Sequence, residues 1–522
     1  MLASRKIFII LMMLTLLAAC APGPVAATQT PAPAQAALAT MVARTMAVTP
    51  TPTRPPATPT ATPSPAPTLT PTAGPATPGP AQAQGRPRYR LDVDFSFDQR
   101  HGKVAEEINY TNQSTDTMSE LPLMVELAAY RDLFTITSLT WDDGQPVAHP
   151  AWENLQVRVP LRQPLAPGQS VTLKLAYEFS LPAQSSLNSE RPMPIGYTSR
   201  QANLVDWYPF IPPYRSGQGW LAHPPAYYGE YLVYDEADFE VNLRLTGDRK
   251  DLVVAASAPA QVDGDVLRYR LQGARNFAFS IGPEYRTSTA RVGAITITSY
   301  YFPLSQAAGE WALQTTAKAV QLYQDLFGPY PHATLAVVEA DFMDGMEYDG
   351  LYYLSRGFYN LYSGQPEDYL TAIAAHETAH QWWFGVVGDD QANEPWMDEA
   401  LATYTERIFY EHYYPDALSW WWYYRVDYYH PHGWVDTSIY NPQGVLQTYQ
   451  DYRNAVYLNG AHFFEDLRQT VGDPAFFAFL KDYATTYAGK IALSSDFFTL
   501  LRQHTQADLK PVLVKYFSNP DR

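Results

Sequence analysis

Two histidines four residues apart, His376 and His380, enclose a glutamate in the segment His-Glu-Thr-Ala-His. On an α-helix, residues i and i+4 lie on one face about 6 Å apart, so both imidazoles can reach one metal ion. Glu377 lies beside them and can take a proton from a water that the metal activates. The H-E-x-x-H pattern therefore predicts a zinc site. No proline or glycine interrupts residues 369–384, which favours a helix here.

A carboxylate lies at the spacing of a third ligand, which a catalytic zinc ion usually requires in addition to a water. Glu399 follows His380 by nineteen residues, at the start of a second predicted helix. This arrangement resembles the aminopeptidase N family of zinc peptidases, within the gluzincins, whose ligand pattern is H-E-x-x-H, eighteen residues and Glu. The resemblance implies that His376, His380 and Glu399 hold one Zn²⁺ ion.

The residues around the third ligand extend the resemblance. The family has a W-x-N-E-G-x-A-x-Y stretch, and Trp396, Ala402 and Tyr404 match it in register with Glu399. The chain departs from it at two positions, where Asp398 replaces Asn and Ala400 replaces Gly. Neither change removes a ligand. Asp398 and Glu406 are both candidates for orienting the histidines, and the sequence does not choose between them.

A second family motif, G-A-M-E-N, lies about thirty residues before the zinc helix. Here residues 344–348 read Asp-Gly-Met-Glu-Tyr, so Met346 and Glu347 match. The resemblance implies that Glu347 binds the free α-amino group of a peptide, because a carboxylate pairs with a protonated amine. The enzyme would then release one residue at a time. Alternatively, Glu347 is structural and the protein is a zinc endopeptidase.

A tyrosine lies where the family has a Y-x-K-G motif. Tyr457 precedes Leu458, Asn459 and Gly460, and it lies 58 residues beyond Glu399, with Asn459 in place of Lys. The resemblance implies that its phenol donates a hydrogen bond to the oxyanion of the tetrahedral intermediate. Tyr452 is the rival candidate for this role.

The folded part shows two successive sequence patterns, which together predict an α+β protein. Residues 89–287 alternate polar and apolar positions between turns, which predicts an N-terminal antiparallel β-sandwich or saddle-shaped domain. Residues 288–522 contain strands followed by helices. The resemblance implies that they form a thermolysin-like catalytic domain. The chain ends about 120 residues after Glu399, so we expect no large C-terminal helical domain.

The first twenty residues resemble the signal peptide of a bacterial lipoprotein. A basic pair precedes the apolar run of residues 7–19, which is short for a membrane span. The run ends at Cys20 in a lipobox-like Leu-Ala-Ala-Cys segment, whose thiol would accept a lipid. An ordinary signal peptide with a chance cysteine is the alternative. We therefore expect an extracytoplasmic protein that a lipid anchor at Cys20 holds to the bacterial cell membrane.

Residues 21–88 predict a disordered tether. They contain 17 of the 44 prolines, together with many threonines and alanines, and few large apolar residues that could pack. Such a segment would separate the folded part from the membrane.

Composition limits the remaining functions. The net charge of -17, from 36 basic and 53 acidic residues, argues against a nucleic-acid partner. A single cysteine excludes disulfides within the chain and cysteine-ligated zinc. Three hypotheses remain: a zinc aminopeptidase acting on peptides, a zinc endopeptidase, and a non-catalytic surface binding lipoprotein on a peptidase fold.

Overall fold

The computed structural model describes residues 85–130, 132–184, 194–226, 228–440 and 448–521. All of them fall within one compact unit, residues 80–522. The predicted signal peptide with Cys20, and the predicted tether up to residue 84, lie outside the described residues. None of the helices in the described part of the chain is long and apolar enough to span a membrane.

The N-terminal part of the described chain is rich in strands. In β1, apolar side chains at alternate positions, Leu91, Val93 and Phe95, are buried, as a strand with one covered face requires. The strands are β1 (Arg88–Ser96), β2 (His101–Thr111), β3 (Met118–Met124), β4 (Phe134–Trp141), β5 (Ala151–Glu153), β6 (Gln156–Leu165), β7 (Ser170–Ser180), β8 (Gly196–Tyr197), β9 (Ala202–Leu204), β10 (Tyr214–Arg215), β11 (Gly219–Trp220), β12 (Ala237–Thr246), β13 (Val253–Ala256), β14 (Gln261–Asp263), β15 (Val266–Ala274) and β16 (Phe279–Gly282).

The largest sheet of this part is mixed, which corrects the predicted antiparallel arrangement. Its strand order is β14-β15-β12-β1-β2-β7-β4, and β1 pairs with β12 in parallel, from Arg88 opposite Asp238 to Ser96 opposite Thr246. The other pairs in the sheet are antiparallel. Parallel neighbours require a long crossover, and the chain between β1 and β12 supplies one. Alternation of polar and apolar residues is the same in both orientations, so it did not reveal the difference.

A second sheet begins at Arg286, just before the predicted boundary at residue 288. Its strands, in the order β17-β18-β19-β21-β20, are mixed in direction, and the short β20 lies at one edge. The strands are β17 (Arg286–Val292), β18 (Ile295–Tyr301), β19 (Thr334–Ala340), β20 (Gly345–Tyr348) and β21 (Leu351–Ser355).

Helices dominate the remainder, so the described chain is α+β, with a β-rich N-terminal part and a helical C-terminal part. The α-helices are α1 (Gln306–Phe327), α2 (Arg356–Leu361), α3 (Tyr369–Ala379), α4 (Glu399–Tyr413), α5 (Leu418–Trp420), α6 (Tyr449–Arg453), α7 (Asn459–Val471), α8 (Asp473–Thr486), α9 (Ser494–His504) and α10 (Lys510–Tyr516). Short 3₁₀ segments are Glu126–Ala129, Pro303–Ser305, Pro395–Met397, Pro415–Ala417 and Asp427–Tyr429, and π-helical turns are Trp421–Val426 and Asn454–Leu458.

A buried arginine joins the β-rich part to the helical part. Arg275, just after β15, is 2% exposed and donates hydrogen bonds to the carbonyls of Tyr234 (3.1 Å), Lys490 (3.0 Å) and Phe384. Gly388 makes room for the guanidinium, because a Cβ there would lie 2.5 Å from Arg275 Cζ. Since a buried cation needs hydrogen-bond partners, these carbonyls fix the loop after α3 against the β-rich part.

Candidate metal centre

Helix α3 presents both histidines of the predicted motif on one face. The helix begins after Asp368, whose side chain accepts a hydrogen bond from the backbone N–H of Thr371 (2.9 Å) and so caps it. It ends at Ala379, but His380 keeps helical angles (φ -62°, ψ -17°), and its N–H donates to the carbonyl of His376 (3.2 Å). The i, i+4 geometry therefore holds for the pair.

The three predicted ligands converge within a triangle of atoms. His376 Nε2 lies 3.0 Å from His380 Nε2 and 3.2 Å from Glu399 Oε2, and His380 Nε2 lies 3.4 Å from that same oxygen. A tetrahedral zinc ion with bonds of about 2.0–2.1 Å separates its ligand atoms by about 3.3 Å. The triangle therefore fits one zinc ion, and all three side chains are buried.

A separate carboxylate orients each histidine. His376 Nδ1 lies 2.8 Å from Glu406 Oε1, and His380 Nδ1 lies 2.5 Å from Asp398 Oδ1. A ring whose Nδ1–H donates to a carboxylate offers the lone pair of Nε2 to a metal. The structure thus places both candidates at the site: Asp398 immediately precedes the ligand Glu399, and Glu406 lies two helical turns after it on the same face of α4.

The two orienting carboxylates have different surroundings. Glu406 is fully buried and also accepts hydrogen bonds from Arg425 Nε (3.0 Å), Arg425 Nη2 (2.8 Å) and Trp421 Nε1 (2.9 Å). Burial raises the pKa of Glu406, but Arg425 and His376 outweigh it and hold the pKa below its ordinary value. No sequence motif pointed to Arg425 and Trp421, which lie in the π-helical turn Trp421–Val426.

Electrostatics at the triangle favours positive charge. Burial lowers the pKa of His376, but hydrogen bonds with Glu399 and Glu406 outweigh it and raise the pKa to about 9. Asp398 likewise raises the pKa of His380 well above its ordinary value, against the effect of burial. Burial raises the pKa of Glu399, yet hydrogen bonds with both histidines bring it well below its usual range. A divalent metal ion supplies the positive charge that these surroundings favour.

Glu377 lies at the same centre without belonging to the ligand triangle. It is buried, and its Oε2 has no hydrogen-bond partner among the residues that the structure describes. Burial raises the pKa of Glu377 well above its ordinary value. Its other oxygen packs against Gly345, where a Cβ would lie 2.0 Å from Glu377 Oε1. The first residue of β20 therefore leaves the space that the carboxylate occupies.

Glu347 reaches the centre from the edge of the second sheet. Strand β20 pairs with β21 on one side only, and Glu347 stands opposite Tyr352 in that pair. A carboxylate oxygen of Glu347, one of Glu377 and a ring nitrogen of His380 lie within 4.8 Å of one another. Burial raises the pKa of Glu347 to about 7, although His380 opposes the shift. A carboxylate thus stands beside the metal centre, where it can receive an amine.

The structure separates the two candidate tyrosines. The hydroxyl of Tyr457 donates to Glu399 Oε1 (2.5 Å), and its ring stacks on His376 with centroids 6.2 Å apart. Tyr457 lies in the π-helical turn between α6 and α7. Tyr452 is fully buried, and its hydroxyl has no hydrogen-bond partner in the described part of the chain. Tyr457 is therefore the phenol at the metal centre.

Comparison with known proteins finds a family match that lies mostly in the helical part. The family model of the peptidase family M1 domain matches residues 311–516. Aminopeptidase M1-D of Oryza sativa subsp. japonica is 32% identical over 120 residues, which cover 22% of this chain and 14% of that protein. Endoplasmic reticulum aminopeptidase 1 of Homo sapiens is 24% identical over 234 residues, which cover 42% of this chain and 24% of that protein. The chain thus spans only a small part of the length of these curated relatives.

Solved structures match over most of the chain. An M1 zinc metallopeptidase from Deinococcus radiodurans superposes with a TM-score of 0.58 at 20% identity, covering 81% of this chain and 92% of that one. A mutant of that enzyme bound to a Tyr-Ser-Ala substrate gives a TM-score of 0.57 at 19% identity, covering 82% and 93%. At this identity the likeness shows the shared fold.

Proposed function

We propose that the protein is a zinc-dependent aminopeptidase, because residues 311–516 match the family model of the peptidase family M1 domain and three side chains in this range could hold one metal ion. It would hydrolyse peptides from the N-terminal end, one residue at a time. The observation that carries the proposal is the ligand triangle of His376, His380 and Glu399, with the carboxylates of Glu377 and Glu347 beside it.

The residues around the triangle divide the chemistry among them. When bound, zinc acts as a Lewis acid that polarises the scissile carbonyl and makes water more acidic. The Glu377 carboxylate accepts a proton from the attacking water and then delivers it to the leaving amine. The hydroxyl of Tyr457 donates a hydrogen bond to the oxyanion that develops on the carbonyl. Glu406 and Asp398 keep the histidines in the orientation that metal binding requires.

Glu347 supports cleavage at the N-terminus rather than within a chain. A protonated α-amine paired with this carboxylate would place the first peptide bond next to the zinc site, because Glu347 lies within 4.8 Å of both Glu377 and His380. A peptide bond farther along the chain would lie too far away. The amine therefore sets the position of cleavage.

The direct test compares a short peptide with its N-acetylated twin. Acetylation removes the positive charge that Glu347 recognises, so we expect kcat/KM to fall by about 10²-fold or more. Release of single residues, followed by mass spectrometry, provides the readout. Equal cleavage of the two peptides would contradict the proposal and favour an endopeptidase. Cleavage of neither peptide by zinc-loaded protein would favour a binding protein.

We also propose that the protein is exported and anchored to the bacterial cell membrane through a lipid on Cys20. The apolar run and the Leu-Ala-Ala-Cys segment of the sequence support this proposal, and the proline-rich residues that follow suit a spacer. Mass spectrometry of the mature protein should find Cys20 at the N-terminus and acylated. A mature chain that retains residues 1–19, or that carries an unmodified Cys20, would contradict it.

A further inference from the structure

A single amide lies between two carboxylates of the metal centre. Gln391 Nε2 donates a hydrogen bond to Asp398 Oδ2 (2.7 Å) and another, longer one to Glu347 Oε1 (3.4 Å). The Gln391 side chain is buried, as are those of both acceptors. Because an NH₂ group carries two hydrogens, one amide can serve both carboxylates at once.

This amide completes a continuous hydrogen-bond chain from a zinc ligand to the amine-recognising carboxylate. The other oxygen of Asp398 accepts a hydrogen bond from His380 Nδ1 (2.5 Å), so the hydrogen-bond chain runs from His380 through Asp398 and Gln391 to Glu347. The other histidine is held differently, because its carboxylate, Glu406, is paired with the cationic Arg425. Asp398, which holds His380, is instead paired with the neutral amide of Gln391.

The loop that carries Gln391 is fixed on both sides. The carbonyl of Asp390 accepts hydrogen bonds from the N–H groups of Asn393 (3.0 Å) and Glu394 (2.7 Å), which close a turn. The carbonyl of Ala392 accepts one from Ile439 (3.0 Å). The backbone on either side of Gln391 is therefore held in place, and from this fixed position the side chain reaches the two carboxylates.

We infer that Gln391 is a positioning residue that couples recognition of the substrate amine at Glu347 to the zinc ligand His380. The inference rests on the proposed aminopeptidase function. The Gln391 amide holds Asp398 in the orientation that fixes the His380 ring, and it holds the Glu347 carboxylate towards the amine. Loss of the amide should therefore weaken both zinc binding and the recognition of free-amine peptides.

The test replaces Gln391 by methionine, which keeps the length of the side chain and removes both donors. Competition with a chromogenic chelator measures the Kd for zinc, and hydrolysis of a leucyl anilide at saturating zinc measures KM and kcat separately. We expect the Kd for zinc to rise about tenfold, as for other partners of metal-bound histidines. We also expect KM to rise about tenfold at saturating zinc, with kcat changed less.

Matched variants separate loss of the coupling between amine recognition and zinc binding from a general loss of structure. Asn393→Ala removes a side chain from the same turn but leaves the hydrogen-bond chain from His380 to Glu347 intact. It should therefore leave the Kd for zinc and KM unchanged. In a Glu347→Gln background, Gln391→Met should still weaken zinc binding but should raise KM no further. If Gln391→Met does not fold, as judged by its circular dichroism, Gln391→Glu is measured instead and should shift both readouts in the same direction.

The outcomes distinguish this inference from the proposed function. If the wild-type protein cleaves acetylated and free peptides equally, the aminopeptidase proposal fails. If the wild-type protein requires the free amine but Gln391→Met changes only the Kd for zinc, only KM, or neither, the coupling is overturned and the aminopeptidase proposal stands.

Discussion

Replacing Glu377 by glutamine is expected to lower kcat by about 10²- to 10⁴-fold while the protein still binds one zinc ion per chain. Glutamine has the same shape but cannot accept a proton, and Glu377 lies outside the triangle formed by His376, His380 and Glu399. Steady-state kinetics on a free-amine peptide, together with metal analysis of the same sample, measures both quantities.

The matched control is Glu310→Gln, which makes the same exchange on the exposed face of α1 and should leave kcat unchanged. Wild-type turnover in Glu377→Gln would contradict the role of the base. Loss of zinc from that variant would show instead that Glu377 is a ligand.

Gly345→Ala reaches the same base without altering it. Its φ lies outside the left-handed region, so alanine suits the backbone, but the added methyl group would lie 2.0 Å from Glu377 Oε1. The carboxylate must then move, and we expect kcat to fall by up to about 10²-fold with zinc retained. An active Gly345→Ala variant would show that the base tolerates displacement.

Replacing Tyr457 by phenylalanine is the second large expected effect, a loss of about 10²- to 10³-fold in kcat. The phenol stands beside the ligand Glu399, at hydrogen-bond distance from its outer oxygen. Two explanations for such a loss can be separated. If Tyr457 only orients Glu399, excess zinc should restore kcat; if Tyr457 stabilises the oxyanion, kcat should stay low at saturating zinc. We expect the second result.

Tyr452→Phe provides the control for Tyr457→Phe. The two tyrosines are neighbours, with ring centroids 5.8 Å apart, but only Tyr457 reaches the ligand. We expect Tyr452→Phe to change kcat by less than about threefold, because its ring packs in the core and its hydroxyl makes no hydrogen bond to any residue that the structure describes. A loss of kcat in Tyr452→Phe equal to that in Tyr457→Phe would contradict the assignment of the oxyanion role to Tyr457.

The site residues that could be predicted best from the sequence are those whose relative positions are set by short-range helical geometry. His376 and Glu377 lie in α3 and His380 continues its helical geometry, so helical spacing alone places the three together. Glu399 lies in another helix, and nothing in local geometry brings it to them, so its prediction depended on the family resemblance. The one-zinc cofactor and the α+β class are confirmed by the comparisons and by the fold.

The rest of the site depends on contacts between distant segments. Arg425 reaches Glu406 from a π-helical turn, and Gln391 reaches Glu347 from a loop, so neither has a periodic signal. Asp398 and Glu406 could not be separated in sequence because both serve, each for a different histidine. The parallel pairing of β1 with β12 is likewise a long-range choice that alternation of residues does not encode.

The most direct test of the proposed zinc aminopeptidase function is a zinc titration of metal-stripped protein, in which hydrolysis of a free-amine peptide and of its N-acetylated form is followed at each step. We expect no turnover without metal, a rise in turnover that saturates at one zinc ion per chain, and hydrolysis of the free-amine peptide alone. Full activity in the stripped protein, or tight zinc binding that brings no hydrolysis of either peptide, would contradict it.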